Sequence, residues 1–251
     1  MTTRDEAVTI EVDGEPVVGT LVRPNRQVPG VLFVHGWGGN QEQYLARARQ
    51  IAALGCICLT FDLRGHGESA ERQEAVTREH NLRDVVAAYD RLARQPFVDR
   101  NAIAVIGSSY GGYLGAILSS LRRVRWLGLR VPALYRDEDW AVPKQQLRKY
   151  GLAAYRRQII NPDENRALSA CAAFEGDVLL VESEHDDLIP HAVFTNYIAA
   201  FEQARSLTYR VIQGADHGLS DERSQQSYSA ILMKWVGEVG IGPARAERAG
   251  G

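Results

Sequence analysis

The residues best suited to chemistry sit together in the middle of the chain. Gly107-Ser108-Ser109-Tyr110-Gly111 fits the pattern G-x-S-x-G, which holds a serine hydroxyl out on a sharp turn between a strand and a helix. Glycine two positions to either side answers a steric demand, because a side chain there would collide where strand and helix cross. The surroundings agree. Ala102-Ile103-Ala104-Val105-Ile106 is an apolar run of the kind buried in a parallel sheet, and the residues after the turn have helical spacing. A serine hydroxyl is a weak nucleophile until a base takes its proton, so Ser109 calls for a histidine and an acid elsewhere in the chain. The chemistry expected of such a set is attack on an acyl carbon.

Six histidines compete for the role of base. In chains built on this turn the acid and then the histidine follow the nucleophile, with the histidine on a loop beyond the last strand. His217, in Gly214-Ala215-Asp216-His217-Gly218, stands at that place, between a strand-like run and the final helical stretch. His35 and His66 lie in glycine-rich turns and read as hydrogen-bonding structural residues, and His80, His185 and His191 as surface residues. An acid must fix the tautomer of the base, and Asp186 in Ser183-Glu184-His185-Asp186-Asp187-Leu188-Ile189-Pro190 is the choice. Asp187 stays open beside it, since strand ends are read from sequence only to within about two residues. Asp216, Asp137 and Asp139 rank lower. The attacked carbonyl becomes an oxyanion, which fixed backbone N–H groups stabilise. Tyr110, directly after the nucleophile, and Trp37, in His35-Gly36-Trp37-Gly38-Gly39, are the expected donors.

These side chains need a frame to hold them. Alternating segments at 8–12 and 17–22 flank Asp13-Gly14 and predict an antiparallel hairpin at the edge of a mixed sheet. Apolar runs at 31–34, 57–61, 103–106, 126–129, 178–181 and 207–212 predict strands. Between them, 41–54, 82–93, 113–121, 192–203 and 222–236 have apolar residues three and four apart and predict helices. Strand and helix alternate, which implies an α/β fold with a parallel sheet covered on both faces. The alternation breaks near 131–166, where Pro132, Pro143 and Pro162 punctuate a charged, aromatic stretch. Taken from about 130 to 166, that stretch reads as a short lid above the sheet. It holds eight basic and five acidic residues, a balance that could favour substrates bearing a carboxylate, but the stronger reading is a polar, solvated helix face from Lys144 to Arg157.

With 251 residues, 45% hydrophobic and 24% charged, the chain can bury a core as one domain, 1–238, followed by a flexible tail, 239–251. The net charge of -2 offers no field for nucleic acid, and no apolar run is long enough for a membrane span. The opening residues carry charges where a secretory leader needs an apolar block, so the expected location is the cytoplasm. No dinucleotide fingerprint or phosphate loop occurs, and no cofactor is expected. Cys56, Cys58 and Cys171 lack metal-type spacing and read as reduced core thiols. A metal site on His185, Asp186, Asp187 and His191 is less favoured than a loop acid beside a solvated histidine, so no metal is expected either. The expected partner is a small-molecule acyl substrate.

In the order HGWGG, DLRGHGES, GSSYGG, HDDLIP and GADHG, the chain resembles the α/β-hydrolase superfamily over about residues 8–238. Within it the chain looks like bacterial esterases near the dienelactone hydrolases and the prolyl-oligopeptidase catalytic domains, which also begin with a strand pair. The resemblance implies an eight-stranded, mostly parallel sheet and a two-step acyl-enzyme mechanism. Dienelactone hydrolases have a cysteine where this chain has Ser109, so their substrate class is not carried over. Serine rather than aspartate at that position also argues against dehalogenase and epoxide hydrolase chemistry. A carboxylesterase is the expected activity. The alternatives are amide or peptide hydrolysis, acyl transfer, or a non-catalytic binding module on the same fold.

Overall fold

The apolar runs of the sequence become the strands of a twisted parallel sheet, seen in a computed structural model that describes residues 3–12, 15–24, 27–147 and 149–242. Two strands precede that sheet. β1 (Thr3–Val12) and β2 (Glu15–Pro24) pair antiparallel with each other, from Thr3↔Pro24 to Val12↔Glu15. Among the described residues they form a two-stranded ribbon of their own, and the larger sheet has six strands instead of the expected eight. Alternation and a two-residue gap specify pairing inside a hairpin, whereas bonding to a further strand leaves no mark on the sequence. The Asp13-Gly14 turn and the tail from 243 onward lie outside the described residues.

The larger sheet consists of β3 (Val28–Val34), β4 (Ile57–Thr60), β5 (Val98–Ser108), β6 (Trp126–Arg130), β7 (Asp177–His185) and β8 (Ser206–Asp216). Their order is β4-β3-β5-β6-β7-β8, and every neighbouring pair is parallel. The helices are α1 (Glu42–Ala52), α2 (Arg78–Ala93), α3 (Tyr110–Leu121), α4 (Lys149–Tyr155), α5 (Arg166–Ala172), α6 (His191–Ala200) and α7 (Glu222–Glu238). Successive strand residues serve opposite faces. Leu32 and Val34 join Val85, Tyr113, Leu168 and Phe194 of α2, α3, α5 and α6, while Val31 and Phe33 join Tyr44, Ile51, Leu232 and Trp235 of α1 and α7. α4 falls within the helix face read at 144–157, whereas α5 was not legible because it is seven residues long, too short to show a helical period.

The chain runs outward from β3 to β4 and returns on the far side of β3 to form β5. At such a reversal the loops leaving the two central strands diverge and open a crevice at their carboxyl ends. The cysteines are free, Cys56 and Cys171 are buried, and burial pushes the thiols of Cys56 and Cys58 up to about 11 and about 12. They are thiols, not thiolates, at neutral pH. Among the described residues no helix is long and apolar enough to cross a membrane.

Candidate active site

Register places the reactive groups. Val34 of β3 is paired with Gly107 of β5, so the loop from His35 to Gly39 leaves beside the turn at Ser109. His185 of β7 is paired with Asp216 of β8, so the next residues, Asp186 and His217, leave their strands side by side. Both pairings lie at carboxyl ends of parallel strands, where one-residue differences in strand length decide which side chain reaches the crevice.

The turn at Ser109 is strained. Its φ of 51° and ψ of -115° fall where a side chain is disfavoured, and the strain is held by surrounding bonds. Ser109 N–H donates to the Arg130 carbonyl at 2.8 Å, and its carbonyl accepts from Tyr113 and Ala133, each at 3.0 Å. Gly107 and Gly111 permit the close crossing. A Cβ on Gly107 would overlap the Gly111 carbonyl, and one on Gly111 would overlap the carbonyls of Val34 and His35.

His217 Nε2 lies 3.0 Å from Ser109 Oγ, and its Nδ1 lies 2.7 Å from Asp186 Oδ2. An ionised carboxylate only accepts, so Nδ1 carries the hydrogen and Nε2 is left to accept from the serine hydroxyl. The Asp186 side chain is 1% exposed, and its other oxygen accepts from the N–H groups of Leu188 and Ile189, both at 2.8 Å. Asp187 is exposed. Asp216, adjacent to His217, turns instead to Ser220, and Asp137 accepts from Arg166 N–H. The structure therefore brings Ser109, His217 and Asp186 into one hydrogen-bonded line, able to remove a proton from the hydroxyl and stabilise the resulting imidazolium.

Tyr110 opens α3, and the first N–H groups of a helix have no acceptor within it. In the neighbouring loop Gly39 N–H closes onto the Gly36 carbonyl at 3.1 Å, with Trp37 at the bend. The two residues also meet through their rings, edge to face at 5.5 Å between centroids. Lys144 lies over both, 4.5 Å from the Trp37 ring and 5.6 Å from that of Tyr110.

The remaining histidines have other surroundings. His35 is buried and its Nε2 accepts from Leu63 N–H at 3.0 Å, while burial lowers its pKa from the ordinary 6.5. His66 is buried under the Trp37 ring, also with a lowered pKa through burial. His80 helps cap α2 with Thr77, and His191 pairs with Glu182 at 3.0 Å. Among the described residues no cluster of three or more His, Cys, Asp or Glu is arranged to hold a metal.

A cavity of about 310 Å³ opens at Ser109 and His217, lined also by Gly36 to Gly39, Gln43, Tyr44, Arg47, Ser108, Arg130, Gly218, Leu219, Gln225 and Tyr228. Its walls come from α1, α7 and the end of β6. Among the described residues of 130–166, only Arg130 lines this cavity; Lys144 reaches the adjacent Trp37–Tyr110 pair. Arg156 donates to the carbonyls of Leu134 and Leu188, and Arg136 and Arg166 lie over Tyr155 and Trp140. Tyr44, Arg47 and Tyr228 escaped the sequence reading because ordinary helical periodicity carries them. Arg130 had a usable signal, a charge ending the otherwise apolar strand Trp126-Leu127-Gly128-Leu129-Arg130.

A family model described as the alpha/beta hydrolase family matches residues 31–229. The quorum-quenching protein AidA of Acinetobacter baumannii is 32% identical over 96 residues, 37% of this chain and 32% of that protein. A probable dipeptidyl-aminopeptidase B of Sordaria macrospora is 24% identical over 257 residues, 91% of this chain and 26% of that protein. The chain thus spans no more than about a third of either curated relative. Among solved structures, that of Est1E from Butyrivibrio proteoclasticus with ferulic acid bound has a TM-score of 0.62 at 16% identity, covering 95% of this chain and 96% of that one. A likeness at that identity speaks for the fold alone.

Proposed function

This chain belongs to the alpha/beta hydrolase family, and from that premise we propose that it is a serine hydrolase cleaving carboxylic esters through an acyl-enzyme intermediate. The observation that carries the reading is the line Asp186–His217–Ser109, with separations of 2.7 and 3.0 Å. Ser109 Oγ attacks the ester carbon as His217 Nε2 takes its proton. Asp186 stays ionised and holds the imidazolium by its Nδ1–H. The oxyanion is bound by the N–H groups of Tyr110 and Trp37, whose fixed positions cost no reorganisation as charge develops. His217 then returns the proton to the leaving alkoxide, the alcohol departs, and water activated by the same histidine releases the acid.

Similarity to a dipeptidyl-aminopeptidase over 91% of the chain favours a second reading, amide hydrolysis on the same residues. Paired p-nitrophenyl esters and p-nitroanilides of the same short acyl group decide between them. The ester is expected to have the higher kcat/KM by more than its greater intrinsic reactivity, and Ser109→Ala should lower kcat by about a thousandfold or more with the fold intact. Preference for the anilide would assign the peptidase reading. An active Ser109→Ala protein would remove both.

A further inference from the structure

The cavity beside Ser109 carries an unusual balance of charge for a partly enclosed space. Among the described residues two arginines line it, Arg47 and Arg130, and no carboxylate does. Arg130 is only 8% exposed, yet its hydrogen bonds go to neutral groups, Nε to Ser108 Oγ and Nη1 to the His217 carbonyl, both at 2.9 Å. Its Nη2 has no hydrogen-bond partner among the described residues. Arg47, half-buried on α1, likewise donates to neutral acceptors, Ser229 Oγ at 3.1 Å and the carbonyls of Gln43 and Gln225 at 3.1 and 3.4 Å. Both guanidiniums rest on one ring, that of Tyr228, at 4.8 Å for Arg47 and 5.7 Å for Arg130. A charge drawn out of water is ordinarily met by an opposite one, and a guanidinium presents a planar fork matched to a carboxylate. Burial raises the pKa of the Tyr44 and Tyr228 phenols above the ordinary 10, so both hydroxyls remain donors. Among the described residues the cavity therefore presents two cationic side chains and no anionic one.

We propose, on the basis of the serine-hydrolase reading above, that this cavity is a carboxylate subsite: Arg130 and Arg47 hold the free carboxylate of a small anionic ester while Ser109 attacks its ester carbon. Arg130 links the two halves of the arrangement. The residue that holds the anion also holds the backbone of His217 and the side chain of Ser108, next to the nucleophile. The volume of about 310 Å³ suits a short acid, not a long acyl chain. Arg47 sits farther out and contributes attraction through a screened, partly exposed path.

Two ester pairs test this, one for each side of the scissile bond. Mono-p-nitrophenyl adipate against its neutral methyl ester places the charge on the acyl group. 3-Acetoxybenzoate against methyl 3-acetoxybenzoate places it on the leaving group. In at least one pair kcat/KM should favour the anion by about tenfold or more, the scale of one charge-assisted hydrogen bond, and that ratio should fall as salt is added. Arg47→Gln and Arg130→Lys should each reduce the ratio several-fold. Arg47→Gln is the cleaner of the two, since Arg130 also supports His217. Equal rates within both pairs, or a preference unchanged in both variants, would overturn the subsite and leave the hydrolase reading standing. Absence of turnover on all four esters would instead count against the hydrolase reading. The subsite is then decided by titrating Ser109→Ala with 3-acetoxybenzoate: saturable binding weakened by Arg47→Gln supports it, and no binding at millimolar concentration overturns it.

Discussion

Asp186 and Asp187 are neighbours in sequence and occupy different chemical worlds. The first is sealed from solvent with three donors on its two oxygens, Leu188 N–H, Ile189 N–H and the His217 ring; the second is exposed. In the proposed mechanism only the first can hold the imidazolium. Asp186→Asn is expected to lower kcat by about a thousandfold or more, because an amide in that place favours the wrong tautomer, whereas Asp187→Asn should change it by less than about threefold. Steady-state rates on one p-nitrophenyl ester measure both, and the reverse order would move the acid to Asp187. The residue pattern brought the choice down to these two. What separated them was the end of β7 at His185, and apolar runs do not mark strand ends to a single residue.

At the scale of elements, the loops after β3 and β4 are tied by one histidine. His35 Nε2 accepts from Leu63 N–H, a bond that exists only while that nitrogen is unprotonated, and burial lowers the His35 pKa. The unfolded chain takes up a proton near the ordinary 6.5 while the folded chain resists it. Below that pH the unfolded state therefore binds more protons, and stability falls as pH drops from about 7 toward 5. His66, also buried with a lowered pKa, acts in the same direction. His35→Gln keeps an acceptor near Leu63 but cannot titrate. It should flatten the loss of stability between pH 7 and 5, read from urea midpoints, and an unchanged slope would show that His35 does not carry it. The same elements show how far sequence pattern reaches. All six parallel strands announced themselves as apolar runs, and five helices as periods of three and four. The segments at 3–12 and 15–24 announced their pairing but not that, among the described residues, they would pair with each other alone. The short helix at Arg166–Ala172 left no period to read.

The whole molecule sets where chemistry can occur. The reversal of strand order between β3 and β5 opens the crevice, the Gly36–Gly39 loop and the Ser109 turn flank it, and the ends of β7 and β8 deliver Asp186 and His217 to it. Strand order is a property of three-dimensional packing, so the sequence could indicate that these loops share an edge of the sheet without showing what else would be there. The cavity wall from α1 and α7, with Arg47, Tyr44 and Tyr228, is the part supplied by packing alone. In the proposed mechanism all of it converges on the Ser109 hydroxyl. Reaction of the purified protein with a fluorophosphonate, followed by mass spectrometry of its peptides, tests that convergence most directly. One equivalent of adduct is expected on the peptide containing Ser109, formed much more slowly when His217 is replaced by alanine. Adduct on a different serine, or ester hydrolysis that continues with Ser109 fully blocked, would contradict it.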